Sequence, residues 1–204
     1  QRADYVSLDL MQALPTVAQC LDLLLQECDA VPSDSRIVNR EARLSWETRE
    51  QLFFDSTGSQ LRFAQRFVYP NMQITAYDGH DSQIRSLSGG NFAQQGGLDV
   101  LARSGLFGAG ARLADEALQL LLAPNTPSGK RHLLLMPDQM ILQIHESIGH
   151  PLEMDRILGD ERNYAGTSFV KQDDFGHYRY GSPLLNVSFD PHIPEELASY
   201  SHDD

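Results

Sequence analysis

Ala42-Arg43-Leu44-Ser45-Trp46-Glu47 and Leu61-Arg62-Phe63-Ala64-Gln65-Arg66-Phe67-Val68 decide the fold class. Both stretches alternate or concentrate β-forming side chains, the pattern of strands that bury one face. Turn signals punctuate the region from Arg36 to about Leu87 at Asp55-Ser56-Thr57-Gly58, Pro70-Asn71 and Asp78-Gly79. The reading is a meandering antiparallel sheet with one face polar enough to meet water.

N-terminal to the sheet, residues 6 to 29 place apolar side chains at Leu10, Leu14, Val17, Leu21, Leu24 and Cys28. Steps of three and four mark one face of a helix. Pro15 suits a first turn and not a helix interior, so a second helix is expected to start there. Residues 1–35 therefore read as a helical segment ending in the loop Val31-Pro32-Ser33-Asp34-Ser35. Cys20 and Cys28 lie eight residues apart on this helix, roughly 12 Å of rise. That separation is too long for a disulfide between them. They read as two thiols in a core stripe, which fits a reducing compartment such as the cytoplasm.

C-terminal to the sheet, Ser88 to Gly110 is rich in glycine. No Lys-Ser/Thr follows in the frame that a phosphate-cradling loop needs, so the stretch reads as a mobile connection. Ala111 to Ala123 is an amphipathic helix closed by Pro124. The apolar run His132 to Met136 reads as a strand, and Asp138 suits the N-cap of a helix from Gln139. Gly166 to Val187 reads as short strands around polar turns. The class is α+β: N-terminal helices, an antiparallel meander, then a strand–helix unit, with residues 36–204 as one α+β domain.

Composition sets the outer bounds. With 204 residues, 41% hydrophobic and 22% charged, the chain can bury a real core. A formal net charge of −12 repels phosphate backbones and makes nucleic acid a poor partner. No apolar run is long enough to span a membrane. The chain starts at Gln1 and ends in a polar run at Asp204, and is read as a fragment or processed form.

Chemistry concentrates in Gln143-Ile144-His145-Glu146-Ser147-Ile148-Gly149-His150-Pro151-Leu152-Glu153. A zinc peptidase needs neutral imidazoles to hold the metal, and a carboxylate off the metal to take a proton from water. His145 and His150 are the candidate ligands and Glu146 the candidate base. Their spacing is i and i+5, which puts the imidazoles about 140° apart around a regular helix. The helix must therefore widen or end between them. Gly149 permits unusual backbone angles. Pro151 has no N–H for the Ser147 carbonyl and disfavours helical geometry at His150. A turn with hydrogen bonds from i to i+5 would bring the rings into register. Glu153 and Asp155 are either acceptors that orient an imidazole or solvated helix carboxylates. His132, His177 and His192 read as surface histidines. Asp173-Asp174 lacks the further oxygen ligands of a calcium loop.

The run from Gly129-Lys130-Arg131-His132 through His150-Pro151-Leu152-Glu153-Met154-Asp155 resembles the TldD/PmbA family, also called modulators of DNA gyrase. The likeness lies in a glycine, an apolar run, His-Glu-x-x-Gly-His in that frame, and Leu-Glu-x-Asp. Ser182-Pro183-Leu184-Leu185-Asn186-Val187 with Asp203-Asp204 looks like the family's next block. Ser56-Thr57-Gly58 is similar, more loosely, to a Ser-x-Gly turn of the family. The specific likeness covers residues 111 to 204, and the first 35 residues show none.

The resemblance implies a zinc metallopeptidase that cuts peptides or unfolded segments. His145 and His150 would bind zinc, and Glu146 would deprotonate a zinc-bound water for attack on the scissile carbonyl. It also implies a third ligand, a cysteine in a C-terminal domain absent from this chain, so Cys20 and Cys28 do not take that role. The family pairs metal-bearing and metal-free members, which implies a homo- or hetero-dimer. The alternative reading is a non-catalytic peptide-binding or partner subunit, with this fragment itself inert.

Overall fold

A computed structural model describes residues 2–6, 15–87 and 92–199. The expected helix positions Leu10 and Leu14, the first glycines of the rich stretch, and Asp203-Asp204 lie outside them. The chain forms two compact units, Gln1–Thr126 with Phe189–Asp204, and Pro127–Ser188.

The first unit is a sheet covered by helices. Its strands are β1 (Arg2–Val6), β2 (Ile37–Phe54), β3 (Gln60–Tyr77), β4 (Ser82–Ser86) and β5 (Gln94–Gln95). β2 and β3 form one long antiparallel hairpin, in register from Ile37↔Ala76 to Phe54↔Gln60, with a bulge between Ile37 and Asn39. Asp55 closes its turn by accepting from the backbone of Thr57 and Ser59, both at 2.9 Å. β4 and β5 add antiparallel to β3. β1 adds in parallel, so the sheet is mixed, and the N-terminal segment contributes a strand besides its helix.

The expected turn at Pro70-Asn71 lies inside β3. Pro70 occupies a gap on that strand's second side, since β5 pairs with Phe67 and Val68 and β4 reaches back only to Gln73. Proline is tolerated where a strand lacks a neighbour to receive its missing N–H.

Helix α1 (Val17–Asp29) starts at a capping box between Thr16 and Gln19. Its buried stripe differs from the expected one. Val17 and Leu21 are exposed, Cys20 is buried, and Leu24 joins the core. Both cysteines are free thiols, as their spacing requires.

The glycine-rich stretch, where described, is core rather than a mobile connection. It holds β5 and α2 (Asp99–Arg103), and buries Val100, Leu101 and Leu106 against Val68, Met72 and Ile74 of β3. α3 (Ala109–Leu122) packs on the same core through Leu113, Ala114 and Ala117. Its glycine is needed for contact: a Cβ on Gly110 would stand 2.7 Å from Val31 Cγ2 and 3.0 Å from Met72 Cε. Glu116 anchors the helix to β4, accepting from Arg85 at 2.9 Å and from Arg112 at 2.8 Å. The returning C-terminal segment hydrogen-bonds to buried Gln95, whose side-chain amide donates to Glu196 O at 2.8 Å and Ser199 O at 3.1 Å.

The second unit carries the motif on α4 (Pro137–Ile144), a π turn (His145–Gly149), a 3-10 turn (His150–Leu152) and α5 (Met154–Leu158). Neither the strand expected at His132–Met136 nor those expected between Gly166 and Val187 form. Apolar runs become strands only when another strand takes their backbone groups, and these find none among the described residues. Among residues 127–188 Val170 is the one buried apolar side chain, while Leu133 and Leu134 stay almost fully exposed.

A core role for the glycine-rich stretch predicts that Leu106→Ala costs about 2–5 kcal/mol by chemical denaturation. A loss well under 1 kcal/mol would return the stretch to a linker.

Candidate metal centre

Helix α4 begins at Pro137, whose missing N–H costs nothing in a first turn. It runs regularly to Ile144, and there the hydrogen bonding changes. The His150 N–H donates to the His145 carbonyl, an i+5 bond in place of the regular i+4 bond. Pro151 supplies no donor for the Ser147 carbonyl, and the chain tightens into the 3-10 turn before leaving helical geometry at Glu153. The widened turn that the spacing demands is therefore present. Two details differ from expectation. Gly149 stays in the right-handed region at φ −58° and ψ −70°, so its extra freedom is unused. His150 also stays helical, at φ −56° and ψ −42°, despite the proline after it.

The π turn brings the two imidazoles face to edge, with ring centroids 4.2 Å apart and planes at 70°. Candidate donor atoms of His145, Glu146 and His150 all lie within 4.8 Å of one another. Nitrogens sharing a tetrahedral zinc at about 2.0–2.1 Å each sit roughly 3.4 Å apart. The donor set fits a divalent metal in kind: two imidazoles supply half of a tetrahedral shell, and Glu146 supplies a carboxylate beside it. The Glu146 carboxylate stands 3.9 Å from His145 Nε2, with both side chains more than half exposed.

Glu153 sets the orientation of His150. Its Oε1 lies 2.8 Å from His150 Nδ1. The bond from His150, joined by the charges of His150 and Arg156, holds the Glu153 carboxyl below the usual carboxylate range against its partial desolvation. An ionised carboxylate can only accept, so Nδ1 carries a proton, and in the neutral ring that a metal requires Nε2 offers the lone pair. Arg156 then braces Glu153. Its Nε stands 2.6 Å from Glu153 Oε2 and 3.4 Å from Glu161, though that N–H is not aligned for a hydrogen bond and the contact is electrostatic. Of the two carboxylates offered by the sequence, Glu153 orients an imidazole. Asp155 accepts instead from the backbone N–H of Arg156.

Sequence reasoning missed Arg156 and Ser168. Ser168 donates to the Pro151 carbonyl at 2.6 Å, pinning the end of the motif from 17 residues away, a distance no local pattern reveals. His132, His177 and His192 join no metal-binding group among the described residues, nor do Cys20 and Cys28. Glu153, Asp155 and Glu161 form a second, purely acidic group, already occupied by Arg156.

A cavity of about 290 Å³ opens against the motif. Ser147, Ile148, Pro151 and Leu152 form one wall, and Phe169, Phe175, Tyr178 and Tyr180 stand among the others. Phe169 and Tyr180 stack at 5.7 Å. The lining is predominantly apolar and aromatic, which suits a hydrophobic side chain.

Two relatives and one family model match the chain. A metalloprotease of Methanothermobacter thermautotrophicus is 30% identical over 141 residues, covering 63% of this chain and 30% of the relative. A metalloprotease of Methanocaldococcus jannaschii is 34% identical over 90 residues, covering 44% of this chain and 18% of the relative. The chain thus spans less than a third of the length of these relatives. No solved structure matches it. No helix among the described residues is long and apolar enough to cross a membrane. Residues 13–123 match the family described as the PmbA/TldA metallopeptidase central domain, including N-terminal residues in which the sequence reading found no likeness. With more than half of its 204 residues inside that match, the chain belongs to the PmbA/TldA metallopeptidase family.

Proposed function

We propose that the chain is part of a zinc-dependent peptidase that cleaves peptides or unfolded protein segments, with His145 and His150 as ligands and Glu146 as general base. The observation that carries this reading is the π turn, which sets both imidazoles and the carboxylate within 4.8 Å of one another. Bulges of this kind are costly in a helix and concentrate at functional sites. Zinc held there supplies a Lewis acid for the peptide carbonyl. Glu153 keeps the proton on His150 Nδ1, so that Nε2 is the coordinating atom. Glu146 takes the proton of the attacking water on its carboxylate and returns it to the leaving amine. The aromatic cavity beside Ser147 and Ile148 takes an apolar side chain of the substrate. Such side chains are accessible mainly in peptides and unfolded segments.

Two histidines leave the shell half filled, and catalytic zinc normally has three protein ligands. The proposal takes the third, a cysteine, from a part of the longer protein beyond this chain, as the family resemblance implies. The same half-filled shell favours a second reading, a metal-free partner subunit that binds peptides without cutting them. In either case the working unit pairs two family members in the cytoplasm, where the free thiols of Cys20 and Cys28 persist.

Calorimetric zinc titration near pH 7.5, where histidines are mostly neutral, tests the ligand assignment. This chain is expected to bind zinc weakly and to lack peptidase activity, and a longer chain carrying the cysteine to bind tightly. Equal tight binding by the short chain would place a third ligand inside it, while no binding by either would leave the partner-subunit reading. In the longer protein Glu146→Gln should retain zinc and lose about 10²–10⁴-fold in peptide hydrolysis. Unchanged turnover would move the proton transfer to another residue. Glu153→Ala should weaken zinc binding by about 10–100-fold, since it frees the His150 ring. An unaltered affinity would make the Glu153 contact incidental.

A further inference from the structure

The cavity beside the motif has a size, a lining and one charge that together narrow what can enter it. At about 290 Å³ it lies just below the roughly 300–1,000 Å³ of sites for whole small molecules. It exceeds the roughly 150 Å³ that suffices for benzene in an apolar cavity. One large side chain carrying a ring fits between these limits. A methyl group would leave most of the volume empty and the walls without contacts.

We propose, resting on the peptidase reading above, that this cavity selects substrates with an aromatic side chain on a residue next to the scissile bond. Ser147 and Ile148 of the wall follow Glu146 directly, and Pro151 follows His150. The turns that carry the base and a metal-binding imidazole thus also supply part of the lining. Consecutive Cα atoms of a peptide lie about 3.8 Å apart. A peptide held by its carbonyl at His150 and Glu146 therefore passes this wall with the residues that flank that carbonyl.

The lining favours a ring over an aliphatic chain. Phe169 and Tyr180 stack with planes 18° apart, and Phe175 and Tyr178 add two further rings. A substrate ring gains offset or edge contacts there beyond the burial of its area. Val170, 8% exposed, is the buried apolar group of the lining. Its N–H donates to Ser168 Oγ at 2.9 Å, and that hydroxyl donates to the Pro151 carbonyl at 2.6 Å. Two parts of the lining are thereby tied together before substrate arrives, which limits the ordering cost of binding. Asp174 is the one acidic group in the lining, and its Oδ2 accepts from the Lys171 N–H at 2.9 Å. Its carboxylate repels an acidic side chain. A lysine or arginine would set its charge against a mostly apolar lining, with one partly engaged carboxylate to offset the lost hydration. A neutral ring meets neither cost.

The test is hydrolysis, by the longer protein, of peptides varied at the two positions that flank the cleaved bond. At one of them kcat/KM should be about 10–200-fold higher for phenylalanine or tyrosine than for alanine, and lowest for glutamate. Val170→Phe should fill the cavity and bring the ratio of phenylalanine to alanine toward one. Leu185→Trp, at a more exposed wall residue, does the same should Val170→Phe fail to fold. Phe169→Leu should lower the preference for phenylalanine over leucine about 2–10-fold. A second readout needs no metal: in the metal-free protein N-acetylphenylalaninamide should shift the methyl resonances of Ile148 and Val170, and N-acetylalaninamide should not. Hydrolysis without an aromatic preference, with a preference for lysine or arginine, or with one that filling the cavity leaves unchanged would overturn the assignment while the peptidase reading stands. Methyl shifts without any hydrolysis would sink the peptidase reading and keep the cavity as an aromatic-binding site. Neither shifts nor hydrolysis would remove both.

Discussion

Every other strand of the sheet takes its backbone partner from β3. That strand must satisfy β2 along its whole length on one side and β1, β5 and β4 in turn on the other. Its inward side chains, Val68, Met72, Ile74 and Ala76, are almost wholly buried and form the floor on which α2 and α3 rest. A one-residue slip would turn all four toward solvent, so the hydrophobic pattern of β3 fixes the register of everything paired with it. Gly110 shows how closely the second layer is fitted, because even a methyl group there would overlap Val31.

The motif unit is held by a different kind of force. It has little apolar core, and polar contacts position its functional groups instead. The π turn sets the two rings, Glu153 fixes one of them, Arg156 braces Glu153, and Ser168 ties down the Pro151 carbonyl. Arrangements of this kind orient ligands well but contribute modest net stability each. A metal shared by His145 and His150 would add a constraint across the turn from its own binding energy.

The readable parts of the sequence were those governed by local periodicity. The β2–β3 hairpin, its turn at Asp55, and α3 follow from alternation, turn chemistry and helical spacing within a few residues. The widened turn was also legible, because i and i+5 histidines and Pro151 leave few alternatives. Misreadings arose where partners decide the outcome. His132–Met136 has the composition of a strand but no strand to pair with. Glycines around Leu101 and Leu106 suggested a loose connection, yet they let the backbone bend closely enough to bury both leucines, with Gly105 at φ 71° and Gly108 at φ 75°. Pro70 looked like a turn because the gap beside it in β3 depends on where β4 and β5 dock. Asp155 and Glu153 were indistinguishable by spacing, and only the direction of each side chain separates them.

The sheet's mixed topology also imposes an order on how its parts come together. The β2–β3 hairpin closes across a five-residue connection, whereas the hydrogen bond from Tyr5 to Ser199 joins positions 194 residues apart. From an open chain, the longer closure costs about 3 kcal/mol more in loop entropy than the hairpin. The hairpin can therefore serve as the seed, with α3 condensing on it through nearby contacts. β1 and the C-terminal segment come last, once β3 and Gln95 stand ready to receive them. β1 and the segment that reaches Ser199 thus act as a late-closing latch on the first unit, the part of it most open to opening and reclosing while the hairpin stays intact.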